Sequence, residues 1–447
     1  MDMMKSRMAL VFDIAFSLRT PLLLRTGDGD DIADNTIDKT PDNNLHINGY
    51  VWASLIRRAF SRLKKGVGLT RDIGKYNDAA EDKGVSSLWC ESSIEPLHDS
   101  DYRYGIQVHR KWGATTTGAM FTEENVPAGS MIHLKGVWFM PDSAKSDQSI
   151  DDIGRIFSEA LWVIDQGIEN IGGGWSYGFG RLKFESGQTW QLDLTQPAHR
   201  QTLFPAGVRR PDTLIATPVD LPVDHPAVIS PWKTYELQFQ IAPGQLMGIH
   251  TRYPILERDD LPDEMPDTVV FQRRIWNPGT QKIEPQYVIP GKAIRQALFS
   301  TKIERRLKSE GQTICDEKQK GCGCIRCKWF GSTDQGGILA VLDAPVDEPE
   351  TDILHRIQLC EHSQQNINLF SGEYLKQARF TTTVMVDEAL ADANPSLAMT
   401  YLETLLDELK PGNAPPGWHR IGATSTCTGQ LQLNHLEGPV ANGGCHA

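Results

Sequence analysis

Apolar and polar positions alternate over residues 9–18 (ALVFDIAFSL), the period of a strand. No period runs through residues 25–45, RTGDGDDIADNTIDKTPDNNL, which read as a loop. From Gly49 the period changes. Val51, Leu55, Ile56 and Phe60 recur at helical spacing while Arg57, Arg58, Arg62, Lys64 and Lys65 take the other faces, so a basic amphipathic helix is predicted. Residues 66–100 show little periodicity and read as an irregular insertion, 104–109 as a short strand, and the Gly/Thr-rich 110–130 as a long loop or hairpin. Residues 131–140 alternate as a strand. A helix is predicted over 151–166, with Ile153, Ile156, Phe157, Ala160, Leu161 and Ile164 on one face. A glycine-rich loop at 171–183, IGGGWSYGFGRLK, leads into a closing strand. Strand–helix–strand–strand–helix–strand is the ferredoxin-like plan, which RNA-recognition modules share.

The pattern then starts again. Five prolines fall within residues 211–232, so 213–231 read as a stiff linker between a first domain, 1–212, and a second, 232–447. Residues 234–241 (TYELQFQI) predict another first strand, 242–287 a long loop, and 288–308 (VIPGKAIRQALFSTKIERRLK) a second glycine followed by a basic helix. Trp52 lies three residues past Gly49 and Ile294 three past Gly291; Ile56 and Leu298 lie seven past, so the two helices bury equivalent faces. His109-Arg110 precede Phe121 and Glu124 in the first half, as His355-Arg356 precede Phe370 and Glu373 in the second. A strand at 380–386, a helix at 395–409 and a worn glycine loop at 418–433 complete the second copy. The fold class expected is α+β, two tandem ferredoxin-like domains.

Composition narrows the function. With 40% hydrophobic and 23% charged residues the chain reads as a soluble globular protein, and no run approaches a membrane span, so no membrane partner is expected. The amino-terminal residues lack a signal-peptide pattern, and the eight Cys then point to a reducing, cytoplasmic setting and to metal rather than disulfides. A net charge of −12 argues against a protein that simply coats nucleic acid, yet Lys and Arg cluster at 57–65, 103–111, 272–274, 292–308 and 318–328.

Three segments carry chemistry. Cys315, Cys322, Cys324 and Cys327 form C-x6-C-x-C-x2-C, a spacing that can close a tetrahedral structural Zn²⁺ site with no open position for catalysis. In the glycine loop, Trp175, Tyr177 and Arg181 interleave with Gly172, Gly173, Gly174, Gly178 and Gly180. That composition suits stacking on single-stranded RNA, with backbone N–H groups of Gly173 and Gly174 open to an anion; the alternative is a tight structural turn. The acidic loop holds Asp28, Asp30, Asp31, Asp34, Asp38 and Asp42 beside the basic helix. A carboxylate there can act as general base on a 2′-hydroxyl or hold a divalent cation at a phosphate, or the loop is merely solvated. His109 and His355 read as RNA-contacting or core residues rather than bases.

The glycine loop, the VIPGKAIRQAL helix entry and the HR…G-A-x-F-x-x-E…V-P-A-G stretch together resemble the RAMP superfamily, and more narrowly a backbone subunit of type III CRISPR effector complexes with two such domains fused. The resemblance implies a guide-RNA-binding subunit that works with other CRISPR effector subunits and cleaves complementary target RNA with Mg²⁺ or Mn²⁺. It also implies a hairpin thumb in each domain that splays the guide–target duplex, and a zinc-binding insertion in the second. Counting fifteen residues back from Gly49 carries the family's catalytic Asp onto Asp34, with Asp38 second and Asp31 third. The same count from Gly291 reaches Trp276, so the second domain is expected to bind without cutting. The thumbs fall at 112–127, where Met120 and Phe121 suit wedging between bases, and at 358–374, with Phe370. Expected RNA contacts are these residues with Arg57, Arg58, His109, Arg110, Lys292, Arg295, His355, Arg356 and the glycine-loop residues. A non-catalytic RNA-binding subunit and a stand-alone guide-precursor endonuclease are the alternatives.

Overall fold

The structure is a computed structural model and describes residues 8–24, 29, 33–42, 44–63, 86–108, 115–140, 150–203, 215–222, 226, 228, 232–251, 266–277, 280, 282–315, 322–331, 336–359, 366–387, 395–410, 413, 419–422 and 429–440. The expectations at Asp31, His109 and Arg110, and at the side chains of Met120 and Phe370, lie outside the described residues.

The first half runs β1 (Met8–Leu18), α1 (Gly49–Arg62), β2 (Leu88–Glu95), β3 (Asp101–Val108), β4 (Thr115–Asn125), β5 (Met131–Phe139), α2 (Ile150–Asp165), β6 (Leu182–Asp193), α3 (Pro197–Leu203) and β7 (Thr217–Pro218). Five strands form one antiparallel sheet in the order β2-β5-β1-β6-β7, with β1 paired to both β5 and β6. Alternation along β1 sends Leu10, Phe12, Ile14 and Phe16 into one core with Trp52, Leu55, Ile56 and Phe60 of α1 and Phe157, Leu161 and Ile164 of α2. Ala9 and Val11 face the other way, into a smaller cluster with Phe139, Trp190 and Leu192 that Leu203 of α3 helps to cover.

Two expectations change here. Residues 88–95, read as irregular, form the sheet's edge strand, because LWCESSIE buries Leu88 and Ile94 while exposing polar side chains between them. The proline-rich 213–231 is no free spacer. Thr217–Pro218 pairs with Thr189 and Gln188, Val219 N–H donates to Gly187 O at 2.9 Å, and Leu63 bridges to Val228. Proline is tolerated there because β7 is an edge strand.

The second half runs β8 (Trp232–Ile241), β9 (His250–Thr251), β10 (Val269–Val270), β11 (Gln272–Asn277), β12 (Lys282–Ile289), α4 (Gly291–Ile294), a π-helical turn (Arg295–Ser300), α5 (Thr301–Ser309), α6 (Ile325–Phe330), β13 (Leu339–Val341), β14 (Ala344–Leu359), β15 (Asn366–Asp387), α7 (Pro395–Leu409) and β16 (Leu431–Val440). Here β8 lies between β15 and β16 as β1 lies between β5 and β6. The stretch 242–287, expected as one loop, instead carries β9, β10 and the hairpin β11–β12.

Both helix entries begin with glycine for the same steric reason. A Cβ on Gly49 would meet Cys90 O at 2.4 Å, and one on Gly291 would meet Val341 O at 2.1 Å. Each helix starts against the backbone of a neighbouring strand. Both glycine loops are pinned alike as well: Ile171 N–H donates to Gly180 O at 3.0 Å and Ile421 N–H to Gly429 O at 2.9 Å, with all four turn glycines at positive φ (Gly172 75°, Gly180 70°, Gly422 87°, Gly429 82°).

The two halves meet in a charged, aromatic seam. Arg62 Nε holds Glu169 at 2.7 Å while its Nη2 holds Asp387 at 2.7 Å, and the Asp387 side chain has no solvent exposure. Arg103 pairs with Asp343 at 3.2 Å, and Asp343 also accepts Gly291 N–H at 2.7 Å. Arg274 pairs with Asp101 at 2.8 Å. Trp232 Nε1–H donates to Ile168 O at 2.9 Å and packs beside Trp175, ring centres 5.4 Å apart. Within the second domain, Lys302 Nζ donates to His419 Nδ1 at 2.9 Å, with both residues buried. Burial, then the Lys302 charge, pushes His419 down to about 4.

Arg62→Ala removes the ion-pair partner of the buried Asp387 carboxylate and should lower stability by roughly 3–5 kcal/mol, and adding Asp387→Asn should recover part of that loss, both read by thermal unfolding. His419 is depressed below its unfolded value, so the unfolded chain binds the extra proton. Its contribution is complete above about pH 6.5 and is lost as pH falls towards 4. His419→Gln keeps an acceptor for Lys302 and should flatten that acid limb by on the order of 1–2 kcal/mol in denaturant titrations at each pH.

Candidate nucleic-acid site

The acidic segment does not hang free. Residues 33–37 lie across the root of the β3–β4 hairpin. Asp34 N–H donates to Thr122 O at 3.0 Å, and Thr122 N–H donates back to Asp34 Oδ2 at 2.6 Å. Glu124 N–H donates to Asn35 O at 3.0 Å. Glu124, almost wholly buried, accepts Ile37 N–H on Oε2 at 3.0 Å and faces Lys39 Nζ from Oε1 at 3.6 Å. Ala33 and Ile37 are buried, while Asp34 and Asp38 are exposed. One Asp34 oxygen therefore fixes the group at the hairpin root, and a carboxylate can still accept through the other. Asp38 turns to His46, with His46 Nδ1 3.6 Å from its Oδ2.

The second domain repeats this arrangement. Ser371 N–H donates to Asp267 Oδ2 at 2.6 Å, and Thr268 N–H donates to Ser371 O at 3.3 Å. Glu373 N–H donates to Thr268 O at 2.9 Å, and Glu373 Oε2 accepts Val270 N–H at 3.0 Å. Asn35 bridges in parallel to Glu123, and Thr268 likewise to Gly372. The counterpart of Asp34 is thus Asp267 and not Trp276. Counting back from Gly291 fails because the β11–β12 hairpin lies between the acidic segment and the helix. Trp276 sits on that hairpin, 46% exposed, opposite Ile283. The sequence signal was present as ADNTI at 33–37 and PDTVV at 266–270: an Asp three residues before a buried apolar side chain, each matched by a Glu on the following hairpin.

Around Asp267 the walls differ from the first domain. Tyr287 Oη–H donates to Glu373 Oε1 at 2.6 Å where the first domain has Lys39; burial first, then that bond, pushes Tyr287 up to about 12, so it remains a donor. His250 Nε2 lies 2.8 Å from Glu373 O, with its ring edge-on to Tyr374 at 4.6 Å. Burial, and after it the Arg356 charge, holds His250 below the usual histidine range.

The glycine loop folds as a tight turn at the seam. Of the two N–H groups offered to an anion, that of Gly173 is taken by Leu23 O, and Tyr177 donates to Gly174 O, Gly178 to Trp175 O and Gly180 to Pro21 O, all at 2.8–2.9 Å. Its aromatic residues face the second domain, where Trp175 meets Trp232 and Tyr177 lies under Arg295 and Lys292, 5.3 and 5.9 Å from the ring centre. Arg181 is 7% exposed, with Nη2 3.2 Å from Met385 Sδ. Arg295, equally buried, donates to Phe330 O at 2.7 Å. Arg181 and Arg295 are buried in protein, whereas Trp175 and Tyr177 are half-buried. Phe121 is half-buried rather than a bare wedge: its ring covers Gly105 and lies under Lys292, whose Nζ is 4.8 Å from its centre. Arg58 binds Glu169 at 2.8 Å and Asn170 O at 2.8 Å on a half-exposed edge, and Arg57 is exposed on α1.

On the β14–β15 hairpin His355 is exposed, and the same strand face presents Ile353 and Ile357, opposite Leu369 across the hairpin. Arg356 points to the other face, with its guanidinium 5.0 Å from the Tyr374 ring centre. Apolar side chains exposed on a hairpin that projects from its sheet suit contact with bases.

Cys315, Cys322, Cys324 and Cys327 converge until their Sγ atoms all lie within 4.8 Å of one another. Tetrahedral zinc with bonds near 2.3 Å would set sulfurs about 3.8 Å apart, so the donor set fits a metal such as zinc. Cys324 caps α6, and Arg326 in that helix pairs with Glu304 of α5, which ties the cluster to the helix that continues from Gly291. Among the described residues this is the only group of three or more His, Cys, Asp or Glu close enough to share an ion. No helix among them is long and apolar enough to cross a membrane.

Residues 15–183 match the family model of the RAMP superfamily. No curated protein matches the chain.

Removing the metal from the cysteine cluster should unfold its surroundings first. Strong chelation, or Cys324→Ser, should lower the melting of the second domain, against a structural-zinc contribution on the order of 10–16 kcal/mol, and elemental analysis of the native chain should give one zinc per molecule.

Proposed function

We propose, from the match of residues 15–183 to the RAMP superfamily, a CRISPR-associated family of RNA-binding proteins, that the chain is a backbone subunit of a type III CRISPR effector complex that binds guide RNA and cuts complementary target RNA. The seven-stranded sheet and its helices are read as a second copy of the same domain, since β8, β15 and β16 repeat the pairing of β1, β5 and β6. Both halves fit the split βαβ plan.

One observation carries the catalytic reading: an exposed carboxylate, Asp34, is clamped at the root of a projecting hairpin by Thr122. A target strand splayed by that hairpin would pass its backbone over the carboxylate. In the step that suits this geometry, a 2′-hydroxyl gives up its proton towards Asp34, and its oxygen bonds to the adjacent phosphorus. The P–O5′ bond breaks and the 5′ oxygen takes a proton from solvent, leaving a 2′,3′-cyclic phosphate. A bound Mg²⁺ or Mn²⁺ would supply charge neutralisation at the phosphate. Asp34 is the residue to hold it, with Asp38 second. Among the described residues the segment offers single carboxylates and not a closed cage, which suits an ion held largely by RNA oxygens and water. The four-cysteine cluster is assigned to structural zinc.

A second reading has its own support. The 2.6 Å bond from Thr122 N–H is what a purely structural loop anchor would make. Asp34→Asn separates the two, because the amide oxygen still accepts from Thr122 while the negative charge is gone. In complexes assembled on guide RNA, the variant should bind labelled complementary RNA as before and slow one cut by about 10²–10⁴-fold. Parental cutting at every position would make Asp34 an anchor only.

A further inference from the structure

The stretch that leaves the cysteine cluster is one the first half docks against. Cys324 caps α6, Lys328 N–H donates to Cys324 O at 3.1 Å, and Gly331 N–H donates to Cys327 O at 2.8 Å, so the two cysteines frame that helix. At its far end Phe330 O accepts Arg295 Nη2–H at 2.7 Å, and the Arg295 guanidinium lies over two rings, Phe330 at 5.2 Å and Tyr177 of the first half at 5.3 Å. Ile338 N–H then turns back onto α6, donating to Lys328 O and Trp329 O at 3.2 and 3.1 Å. Before it, Gly336 passes so near the first half that a Cβ there would meet Trp175 at 3.4 Å. The side chains of β13 alternate between the two cores: Leu339 and Val341 enter that of the second half, while Ala340 enters that of the first with Trp52 and Phe157. Leu342 packs on the first core as well, and a Cβ on Gly178 would meet its Cδ2 at 2.7 Å. Asp343 takes Arg103 of the first half at 3.2 Å, and Ile338 O accepts the N–H of Asp387, whose carboxylate holds Arg62 at 2.7 Å.

We propose that the four cysteines latch the seam: the metal they hold fixes the stretch 324–343, and the first half docks on that stretch while it is so held. α6 has six residues, too few hydrogen-bonded turns to stand by itself, so metal binding supplies its fold. The seam contacts from Phe330 to Asp343 are built outward from it. A strand shared by two close-packed cores carries the effect across, because Leu339 and Ala340 cannot shift without opening one core or the other. Metal binding and docking then stabilise each other, and the coupling is reciprocal: a change that loosens the seam from the first half weakens the grip on the metal by the same factor. The latch does not depend on RNA cleavage and stands or falls separately from it.

The test uses the full chain, with zinc as the probe. Zinc affinity is read by competition against a chromogenic chelator for the parent, Trp175→Ala and Trp190→Ala. Trp175 belongs to the first half and lies against Trp232 and Gly336 at the seam; Trp190 is buried on the opposite face of the first sheet, with Val11 and Phe139. Trp175→Ala should weaken zinc binding by about tenfold, inside the usual range of coupling between two sites, and Trp190→Ala should leave it at the parental value. The reverse arm follows amide exchange by mass spectrometry before and after zinc is stripped: protection at 174–180 should fall by a matching factor while β1 and β5 keep theirs. If Trp175→Ala holds zinc as tightly as the parent, or stripping zinc frees the amides of α6 and leaves 174–180 protected, the cluster is a local staple and no latch exists. Equal weakening by both variants would trace the effect to general destabilisation of the first half, and a chain that takes up no zinc has nothing to latch it; either result overturns the proposal.

Discussion

The two halves are held by a buried charge that pairs from one half to the other. Asp387 ends β15 with its side chain closed to solvent, and the guanidinium that reaches it comes from the last turn of α1 in the first domain. The same Arg62 grips Glu169 in the turn after α2, so one side chain ties a helix, a turn and the far sheet together. Burial and the two carboxylates pull its affinity for the proton in opposite directions, and the net effect is upward. A pair this enclosed contributes more to fixing one arrangement than to net stability, because desolvation offsets much of the attraction. Around it Trp175 packs beside Trp232 and Tyr177 under Arg295, so side chains that look ready to stack on bases spend part of their surface on the other half instead.

That docking has a consequence for the acidic segments. With the glycine loop committed to the seam, the segments at Asp34 and Asp267 are what each domain presents at its hairpin root. Each is steadied by a glutamate, buried in the case of Glu124 and half-buried in that of Glu373, whose two oxygens are both engaged. Glu124 and Glu373 are positioning residues: they hold the backbone three residues past the Asp and leave the Asp itself on the surface. A loop attached at two points keeps a carboxylate within a small volume without burying it, which is the condition for proton transfer to a hydroxyl delivered by a bound strand.

Much of this was legible in the chain. β1, α1, β5, α2, β8 and α7 announce themselves by period, and the spacing of the four cysteines foretold the clustered thiols. The recurrence of Gly49 at Gly291 foretold a shared steric need, met at Cys90 in one copy and Val341 in the other. What stayed hidden depends on tertiary partners. Residues 88–95 are half-polar and become a strand only because β5 offers an edge. Composition cannot say whether Trp175 and Arg181 meet a nucleobase or another domain, since both partners reward the same side chains. Register counting failed at Asp267 because insertions change spacing while hydrogen-bond geometry does not.

The divergence between the two copies shows which constraints are strict. The partner of the glutamate passed from an ammonium on Lys39 to a phenol on Tyr287, a change from charge to a neutral donor. Either satisfies a carboxylate oxygen, and a phenol with its proton held up to about 12 does so without adding charge. The apolar residue three past the Asp is Ile in one copy and Val in the other, both branched and both buried. The Asp, the branched residue and the Glu are therefore one unit: the apolar side chain sets the depth of the segment, the glutamate sets its height on the hairpin, and together they leave the aspartate nowhere to point but outward.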